Sequence, residues 1–191
     1  STSYVADMLE LRERYGFEYV VGSVHWVDER PIDVSQELFD EAVGRIGGLE
    51  AFLVRYYRHV AEMIDGLRPE VVGHFDLPRL FSEGDPAHDA QIVRAAGEQA
   101  LALVAEQGGL LEVNTAGFRK GLRGAYPAPW VIERAVELGL AVTFSDDSHH
   151  VDHVAADLEK ARAYLLAYGV RSIGSLGRAS NGGLERRDIP L

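Results

Sequence analysis

Short apolar runs alternate with longer amphipathic stretches along the chain, and this alternation is the main structural signal of the sequence. Runs rich in Val, Ile and Leu predict buried strands at residues 18–24, 70–73, 110–113, 140–145 and 170–176. Apolar residues at helical spacing predict helices at residues 3–14, 36–46, 49–66, 87–107, 128–138 and 153–168. Strands that alternate with helices predict an α/β fold around a parallel sheet, either closed as a barrel or left open.

Polar side chains follow the first four predicted strands at the point where each strand ends. In chain order they are His25, then His74 and Asp76, then Asn114, and finally Asp146, Asp147, His149 and His150. In a (β/α) barrel the carboxyl ends of all strands converge on one mouth, whereas an open doubly wound sheet gathers its ligands at a single switch point. Polar groups at each of these ends favour the barrel, although five predicted strands are too few to close one.

Composition narrows the chemistry that these groups can perform. The chain has 191 residues, 47% of them hydrophobic, which is enough for one domain with a real core. Its formal charge of -11 repels phosphate backbones and anionic lipids, so we expect neither a nucleic-acid nor a membrane partner. The sequence has no cysteine, which leaves His, Asp and Glu as the strong metal ligands. No apolar run approaches the length of about 20 residues that spans a bilayer, and we expect a cytoplasmic protein.

The segment after the fourth predicted strand carries the strongest local signal. Asp147 and His149 stand two residues apart on a loop that leaves a strand end, so both can face the mouth. Together they offer a metal ion one hard oxygen and one imidazole nitrogen. The alternative is an Asp-rich loop that caps the helix beginning near His153, because Asp and Ser are preferred N-caps. Both roles can coexist in one segment.

His25 and His74 share a second pattern, in which an apolar strand is followed closely by a histidine at its exit. A single histidine in such a place is more often structural than a ligand. Two of them, with an Asp-x-His motif at a third strand end, favour a metal site. The histidines that lack this placement are predicted to be structural, namely His59, His88 and His153.

A basic loop follows Asn114 at the end of the third predicted strand. Arg119, Lys120 and Arg123 form a concentrated positive loop in a chain that is otherwise acidic. The arginine fork suits a phosphate because it donates two parallel hydrogen bonds. Solvated surface cations are an equal alternative for Lys120 and Arg123, since such residues are mostly exposed. Arg119 is therefore the favoured phosphate ligand, with Asn114 and Lys120 as further candidates for substrate binding.

These segments occur in the order found in histidinol phosphatases of the PHP family, which the chain resembles from about residue 4 to about residue 153. The matching pieces are residues 22–25, 73–76, 112–117 with Arg119, 126–127 and 145–149. Residues 24–27 followed by 31–33 are similar to the histidinol-phosphate branch in particular. The resemblance implies a distorted seven-stranded (β/α) barrel of the PHP type. It also implies hydrolysis of a small-molecule phosphate ester, L-histidinol phosphate, to L-histidinol and phosphate in histidine biosynthesis.

The resemblance further implies a set of site residues. The family holds up to three divalent metal ions at the barrel mouth, with zinc, manganese and iron as the types. His25 and His74 look like ligands of one metal ion, and Asp147 and His149 look like ligands of two others. Asp147 is also the expected catalytic residue, which positions the attacking hydroxide or carries its proton. Arg119 is similar to the arginine that holds the substrate phosphate.

The chain departs from the family pattern in one major respect. The family begins with an H-x-H motif on its first strand, followed by a His and a Glu on the next strands, and nothing here corresponds to these. We therefore expect a barrel that lacks roughly its first three strands, and a chain that alone is inactive and binds metal weakly. An exposed sheet edge would invite oligomerisation. We expect residues 1–176 to form the PHP domain and residues 177–191 a polar tail.

Two other functions remain open on the sequence. One is a different PHP-type phosphoesterase or exonuclease, although the acidic charge disfavours a polynucleotide substrate. The other is a non-catalytic remnant that binds a metal ion or a partner.

Overall fold

The computed structural model describes residues 4–191, and its elements are as follows. The helices are α1 Val5–Tyr15, α2 Gln36–Ile46, α3 Leu49–Leu67, α4 Arg79–Ser82, α5 Gln91–Gln107, α6 Ala116–Arg119, α7 Pro129–Glu137 and α8 Leu158–Ala167. The strands are β1 Val21–Gly22, β2 Trp26–Val27, β3 Arg30–Pro31, β4 Val71–Val72, β5 Leu110–Asn114, β6 Val142–Ser145, β7 Ser172–Arg178 and β8 Leu184–Pro190. Short 3-10 helices lie at Pro86–Asp89 and Val151–His153.

A parallel sheet with the strand order β1-β4-β5-β6 positions the site. Val21 pairs with Val71 in the first ladder, and Leu111 pairs with Val142 in the last. Because neighbouring strands are parallel, their carboxyl ends lie along one edge. The predicted α/β class with a parallel sheet is therefore confirmed. Among residues 4–191 the sheet has β1 and β6 at its edges and is not closed into a barrel.

Strand β5 is buried along its whole length, although two of its five residues are polar. Successive side chains of a strand point to opposite faces, so Glu112 and Asn114 share one face while Leu111 and Val113 share the other. The apolar face joins the hydrophobic core. Strand β5 therefore delivers an acid and an amide to the carboxyl edge from within a well-packed element.

Helices α3 and α5 pack against each other and supply much of the core. Helix α3 buries an apolar stripe that includes Phe52, Tyr56 and Val60, which follow one another at intervals of four residues. Helix α2 has the predicted bounds because its signals are local: the Ser35 side chain accepts a hydrogen bond from Leu38 N, and Gly47 ends the helix in the left-handed conformation.

Two predicted helices begin later than the pattern indicated, and a third prediction extends beyond the residues that the structure describes. The helix expected at 87–107 is divided at Ala90 into a 3-10 turn and α5, because Ala90 has an extended backbone. The helix expected at 153–168 begins only at Leu158. The helix expected at 3–14 is α1, and residue 3 of that prediction lies outside the described residues.

The strand predicted at residues 170–176 exists as β7, but among the described residues it lies outside the parallel sheet, so its predicted place in that sheet is wrong. Strand β7 instead forms an antiparallel hairpin with β8, in which Ser172 pairs with Pro190 and Arg178 with Leu184. Apart from Gly174, β7 is not buried. The segment 177–191, predicted to be a polar tail, is polar and mostly exposed, yet it provides β8. A boundary at residue 176 falls within β7, and the assignment of residues 1–176 to one PHP domain stays a prediction.

None of the helices formed by residues 4–191 combines the length and the hydropathy that a membrane crossing requires.

Candidate active site

A cavity of about 640 Å³ lies at the carboxyl ends of β1, β4, β5 and β6. Six of the seven predicted site residues line it, namely His25, His74, Asn114, Lys120, Asp147 and His149. The three imidazoles and the Asp147 carboxylate therefore share one cavity. The roles of these residues stay predictions.

The imidazoles of His25 and His74 lie edge to face, with their ring centroids 4.7 Å apart. His74 is 6% exposed, and its Nδ1 atom has no hydrogen-bond partner among residues 4–191. Burial, assisted by the neighbouring His25, lowers the pKa of His74 to about 4. A neutral imidazole with an unpartnered buried nitrogen has the protonation state that metal binding requires.

The backbone at His74 is held in an unusual conformation. Its φ of 23° lies in the left-handed region that non-glycine residues rarely adopt. The His74 N–H donates to Glu112 Oε2 at 2.5 Å, and Asn114 Nδ2 donates to the same carboxylate oxygen at 3.1 Å. At the preceding Gly73 the chain packs closely against β1, because a Cβ there would lie 2.5 Å from Ser23 Oγ. The buried carboxylate of Glu112 thus fixes the turn that directs His74.

Burial also raises the pKa of Glu112, and the hydrogen bonds from His74 and Ser145 oppose this effect. Glu112 lines the cavity but was not predicted as a site residue. The signal that could have identified it is its position two residues before Asn114, on the same face of β5.

Asp33 is the second cavity residue that the predicted site set omitted. Its Oδ2 atom lies 2.8 Å from His25 Nδ1. The antiparallel strands β2 and β3 bring the two residues together, and Ile32 N donates to His25 O at 3.0 Å to extend the pairing. The sequence signal was present in residues 31–33, which belong to the resemblance but carried no assigned role.

On the opposite wall, the Lys120 ammonium faces the Asp147 carboxylate, with 3.7 Å between Nζ and Oδ2. The His149 side chain is 81% exposed, and its Nδ1 lies 2.9 Å from the backbone carbonyl of Asp147. Asp146 turns the other way, since its carboxylate accepts from the backbone N–H groups of Ser148 and Ala155. Asp146 therefore stabilises the loop but does not cap the following helix, since His150 is the N-cap of the 3-10 helix at Val151–His153. Asp147 and His149 line the cavity, and their role as metal ligands stays a prediction.

Arg119 is the predicted site residue that does not line this cavity. Its Nη2 donates to the backbone carbonyl of Asp146 at 2.5 Å and approaches that of Asp147 at 3.4 Å. Arg119 ends α6, and adjacent helical positions point about 100° apart, so Lys120 faces the cavity while Arg119 supports the loop. The sequence favoured Arg119 over Lys120 as the phosphate ligand, whereas in the structure Lys120 and not Arg119 lines the cavity.

The histidines predicted to be structural lie outside the cavity lining. His59 Nε2 lies 3.0 Å from Asp28 Oδ1, and His88 Nε2 lies 2.9 Å from Ser82 Oγ. His153 ends the 3-10 helix after the loop. Arg123, considered as a surface cation, borders a separate cavity of about 630 Å³.

The cavity offers part of a metal site. Over residues 4–191, no group of three or more His, Cys, Asp or Glu side chains is arranged to hold a metal ion. The paired imidazoles, the unpartnered His74 Nδ1 and the Asp147 carboxylate are nevertheless donors of the correct kind. The residues present therefore fit a metal ion to which they contribute some of the ligands.

The carboxyl ends of parallel strands, where these imidazoles, the carboxylate and the ammonium lie, are the usual place of catalytic and ligand-binding groups in α/β folds. The chain is 35% identical over 176 residues to a protein named as a histidinol phosphatase in Schizosaccharomyces pombe. The aligned region covers 90% of this chain and 58% of that protein. It spans 48% to 58% of the curated relatives that it matches. No protein-family model matches the chain.

Solved structures agree with these relatives. A structure assigned as the histidinol phosphatase of Listeria monocytogenes superposes with a TM-score of 0.74 at 27% identity, covering 83% of this chain and 63% of that one. Histidinol phosphate phosphatase from Lactococcus lactis gives a TM-score of 0.67 over 97% of this chain and 68% of that one. At 16% identity this second likeness concerns the fold alone. The resemblance to histidinol phosphatases is therefore confirmed.

Proposed function

We propose that the protein containing this chain is a metal-dependent phosphate monoesterase that converts L-histidinol phosphate to L-histidinol and inorganic phosphate. The observation that carries this proposal is the shared cavity of His25, His74, Asp147 and Lys120 at the strand ends. The related histidinol phosphatases support the substrate. The crystal structure of the Lactococcus lactis protein, whose likeness to this chain concerns the fold, contains zinc, L-histidinol and phosphate.

His25 and His74 would hold one divalent metal ion through their ring nitrogens, and Asp147 and His149 would contribute to further ions. Zinc is the ion in the Lactococcus lactis complex, and manganese and iron share the same ligand types. A bound divalent ion lowers the pKa of coordinated water and offsets charge on phosphoryl oxygens. Stable sites commonly use three or four protein ligands, so the proposal includes ligands beyond these residues.

The chain's own residues would bind and orient the ester. Lys120 presents a compact positive charge to the phosphoryl oxygens. Asn114 would contribute the remaining N–H of its amide, since its Oδ1 accepts from Ala116 N at 2.9 Å and its Nδ2 also donates to Glu112. Asp147 would orient the attacking water and accept its proton. Arg119 remains a candidate phosphate ligand, but it would have to release the Asp146 carbonyl to reach the ester.

The barrel belongs to the same proposal. We infer that the four-stranded sheet is part of a distorted seven-stranded barrel of the PHP type, with roughly three strands outside this chain. The likeness to the Listeria monocytogenes structure, of which the chain covers 63%, supports this inference. The open edge at β1 is where further strands would pair.

The test is phosphate release from L-histidinol phosphate by the protein that contains this sequence, with Zn²⁺ or Mn²⁺ present. His74→Ala removes a proposed ligand and should lower kcat/KM by about 100-fold or more, since losing a residue that only supports a metal ligand already costs about 10–100-fold. His88→Ala is the matched control, because His88 bonds to Ser82 outside the cavity. Equal activity of both variants would refute the proposed site. Faster cleavage of an oligonucleotide than of histidinol phosphate would favour the exonuclease alternative.

A further inference from the structure

We propose that Asp33 is a positioning residue, which holds the His25 imidazole with its proton on Nδ1 and leaves Nε2 free for a metal ion. This inference rests on the proposed function, because it adds a residue to the support of the same metal site. It assigns a role to a carboxylate that has none in the site described above.

The contact between the two side chains defines the role. His25 Nδ1 and Asp33 Oδ2 are 2.8 Å apart. A carboxylate only accepts hydrogen bonds, so the shared proton belongs to His25 Nδ1. In a neutral imidazole one ring nitrogen carries the proton and the other keeps a lone pair. Asp33 therefore selects the tautomer in which Nε2 is the electron-pair donor.

The local backbone gives this contact a fixed geometry. In the β2–β3 hairpin Trp26 pairs with Pro31 and Val27 with Arg30. The added hydrogen bond from Ile32 N to His25 O places Asp33 directly beside the histidine that lies eight residues earlier. The Asp33 side chain is 23% exposed, so it is partly sheltered from water.

The turn of the hairpin is anchored separately to α3. Asp28 and Glu29 both have positive φ angles, of 46° and 63°, as a tight antiparallel turn requires. The Asp28 carboxylate accepts from Arg55 Nη2 at 2.8 Å and lies 3.0 Å from His59 Nε2. The hairpin is thus held at its tip by the helix, and the His25–Asp33 pair closes its open end.

This arrangement matters for metal binding because a second cavity imidazole lies beside His25. The His74 ring is 4.7 Å from the His25 ring, and both line the cavity. A ligating histidine commonly donates its other N–H to a carboxylate, which fixes the ring orientation and raises the basicity of the ligating nitrogen. Asp33 is placed to do this for His25.

The first test is the tautomer of His25 in the metal-free 191-residue chain, measured from ring ¹⁵N and ¹³C NMR shifts at about pH 8.5, where imidazoles are neutral. The wild type should show the Nδ1–H form. Asp33→Asn should populate the Nε2–H form, because an amide can also donate to Nδ1. Asp40→Asn, on the exposed face of α2, is the matched control and should change nothing. A wild-type His25 protonated on Nε2 would overturn the proposal, as would an Asp33→Ala variant that keeps the Nδ1–H form. Ala is the decisive change here, because the oxygen of an Asn side chain could still accept the Nδ1 proton.

The second test is Zn²⁺ affinity, followed by the same ring signals during titration. Asp33→Asn should weaken Zn²⁺ binding by about 10–100-fold, and His25→Ala at least as much. Loss of affinity in His25→Ala but not in Asp33→Asn would remove the positioning role and leave the proposed function intact. If His25→Ala also binds Zn²⁺ like the wild type, the metal role of His25 in the proposed function is wrong. The unfolding temperature of each variant separates these effects from a loss of fold.

Discussion

At the scale of single residues, the chemistry of the cavity depends on which polar groups already have partners. His74 Nδ1 is buried without a partner among residues 4–191, so it is available to a ligand. Arg119 Nη2 is committed to the carbonyl of Asp146. Lys120 faces the cavity and, among residues 4–191, has only a longer ion pair, 3.7 Å from Asp147. The two adjacent cations therefore have different surroundings: Arg119 supports the loop, and Lys120 faces the cavity, where we propose that it binds the substrate.

The different duties of the two cations predict separable defects. Lys120→Ala should weaken inorganic phosphate binding by about tenfold or more, because a charge-assisted hydrogen bond contributes about 1.5–3 kcal/mol. Arg119→Ala should instead lower the free energy of unfolding by about 1–2 kcal/mol through the unpaired Asp146 carbonyl. Phosphate inhibition constants and urea denaturation measure the two effects, with Arg123→Ala as the control for loss of charge. A stronger loss of phosphate binding in Arg119→Ala than in Lys120→Ala would instead support Arg119 as the main phosphate ligand, as the sequence favoured.

The ion pair between Asp28 and Arg55 should make the stability of the protein depend on pH. Its hydrogen bond from Arg55 lowers the pKa of the Asp28 carboxyl, with His59 adding to the effect. Stabilisation by a carboxylate of lowered pKa is present above its unfolded pKa of about 3.9 and is lost as pH falls through the lower folded value. The side chain is 45% exposed, so the effect should stay below about 1 kcal/mol.

The measurement for Asp28 is urea denaturation of the wild type and Asp28→Asn from about pH 7 down to about pH 2.5. The difference in unfolding free energy should be constant near neutrality and should shrink toward zero below the usual carboxyl range. A difference that grows as the pH falls would contradict the ion pair. Asn tolerates the positive φ of this position, so the turn itself should survive.

At the scale of elements, the surroundings of a helical glycine decide whether adding a side chain at that position stabilises or destabilises the protein. Gly44 in α2 has no atom within 4 Å of an added Cβ, whereas a Cβ at Gly97 in α5 would lie 2.6 Å from the Trp130 ring. Gly97 therefore allows the close packing of α5 against α7, which begins beside it. Both positions are glycines within predicted helices, but the structure has open space beside Gly44 and a packed aromatic ring beside Gly97.

The two glycines predict opposite changes in stability. Gly44→Ala should raise the free energy of unfolding by about 0.5–1 kcal/mol, because Ala loses less backbone entropy in a helix. Gly97→Ala should lower it, since overpacking costs about 1–3 kcal/mol and outweighs the same gain. Thermal or urea denaturation of the two variants measures both signs. Stabilisation by Gly97→Ala would show that α5 and α7 are packed less closely than described.

Local signals explain which elements the sequence predicts well. The bounds of α2 follow from Ser35 and Gly47, which act within one turn of the helix. Strand β8 could not be predicted in the same way, because its residues are mostly exposed and charged and pair with β7 through the backbone. Ala90 divides a continuous helical pattern by a backbone change that no side-chain periodicity reveals.

At the scale of the whole molecule, parallel strand ends convert distant sequence positions into one site. Because of this geometry, the sequence alone could predict that His25, His74, Asn114 and Asp147 lie at the same edge of the sheet. Asp33 and Glu112 were missed because their roles come from contacts, with the ring of His25 and the backbone of His74, that sequence spacing does not specify. Barrel closure likewise depends on pairings that residues 4–191 do not display.

The central claim is that this cavity supports metal-dependent hydrolysis of a phosphate monoester. The most direct measurement is phosphate release from L-histidinol phosphate by the protein that contains this sequence, before and after removal of divalent ions with a chelator. We predict that chelation abolishes turnover, and that adding back Zn²⁺ or Mn²⁺ restores it in the wild type but not in His25→Ala. Undiminished turnover in the chelated protein, or full recovery in His25→Ala, would contradict the account.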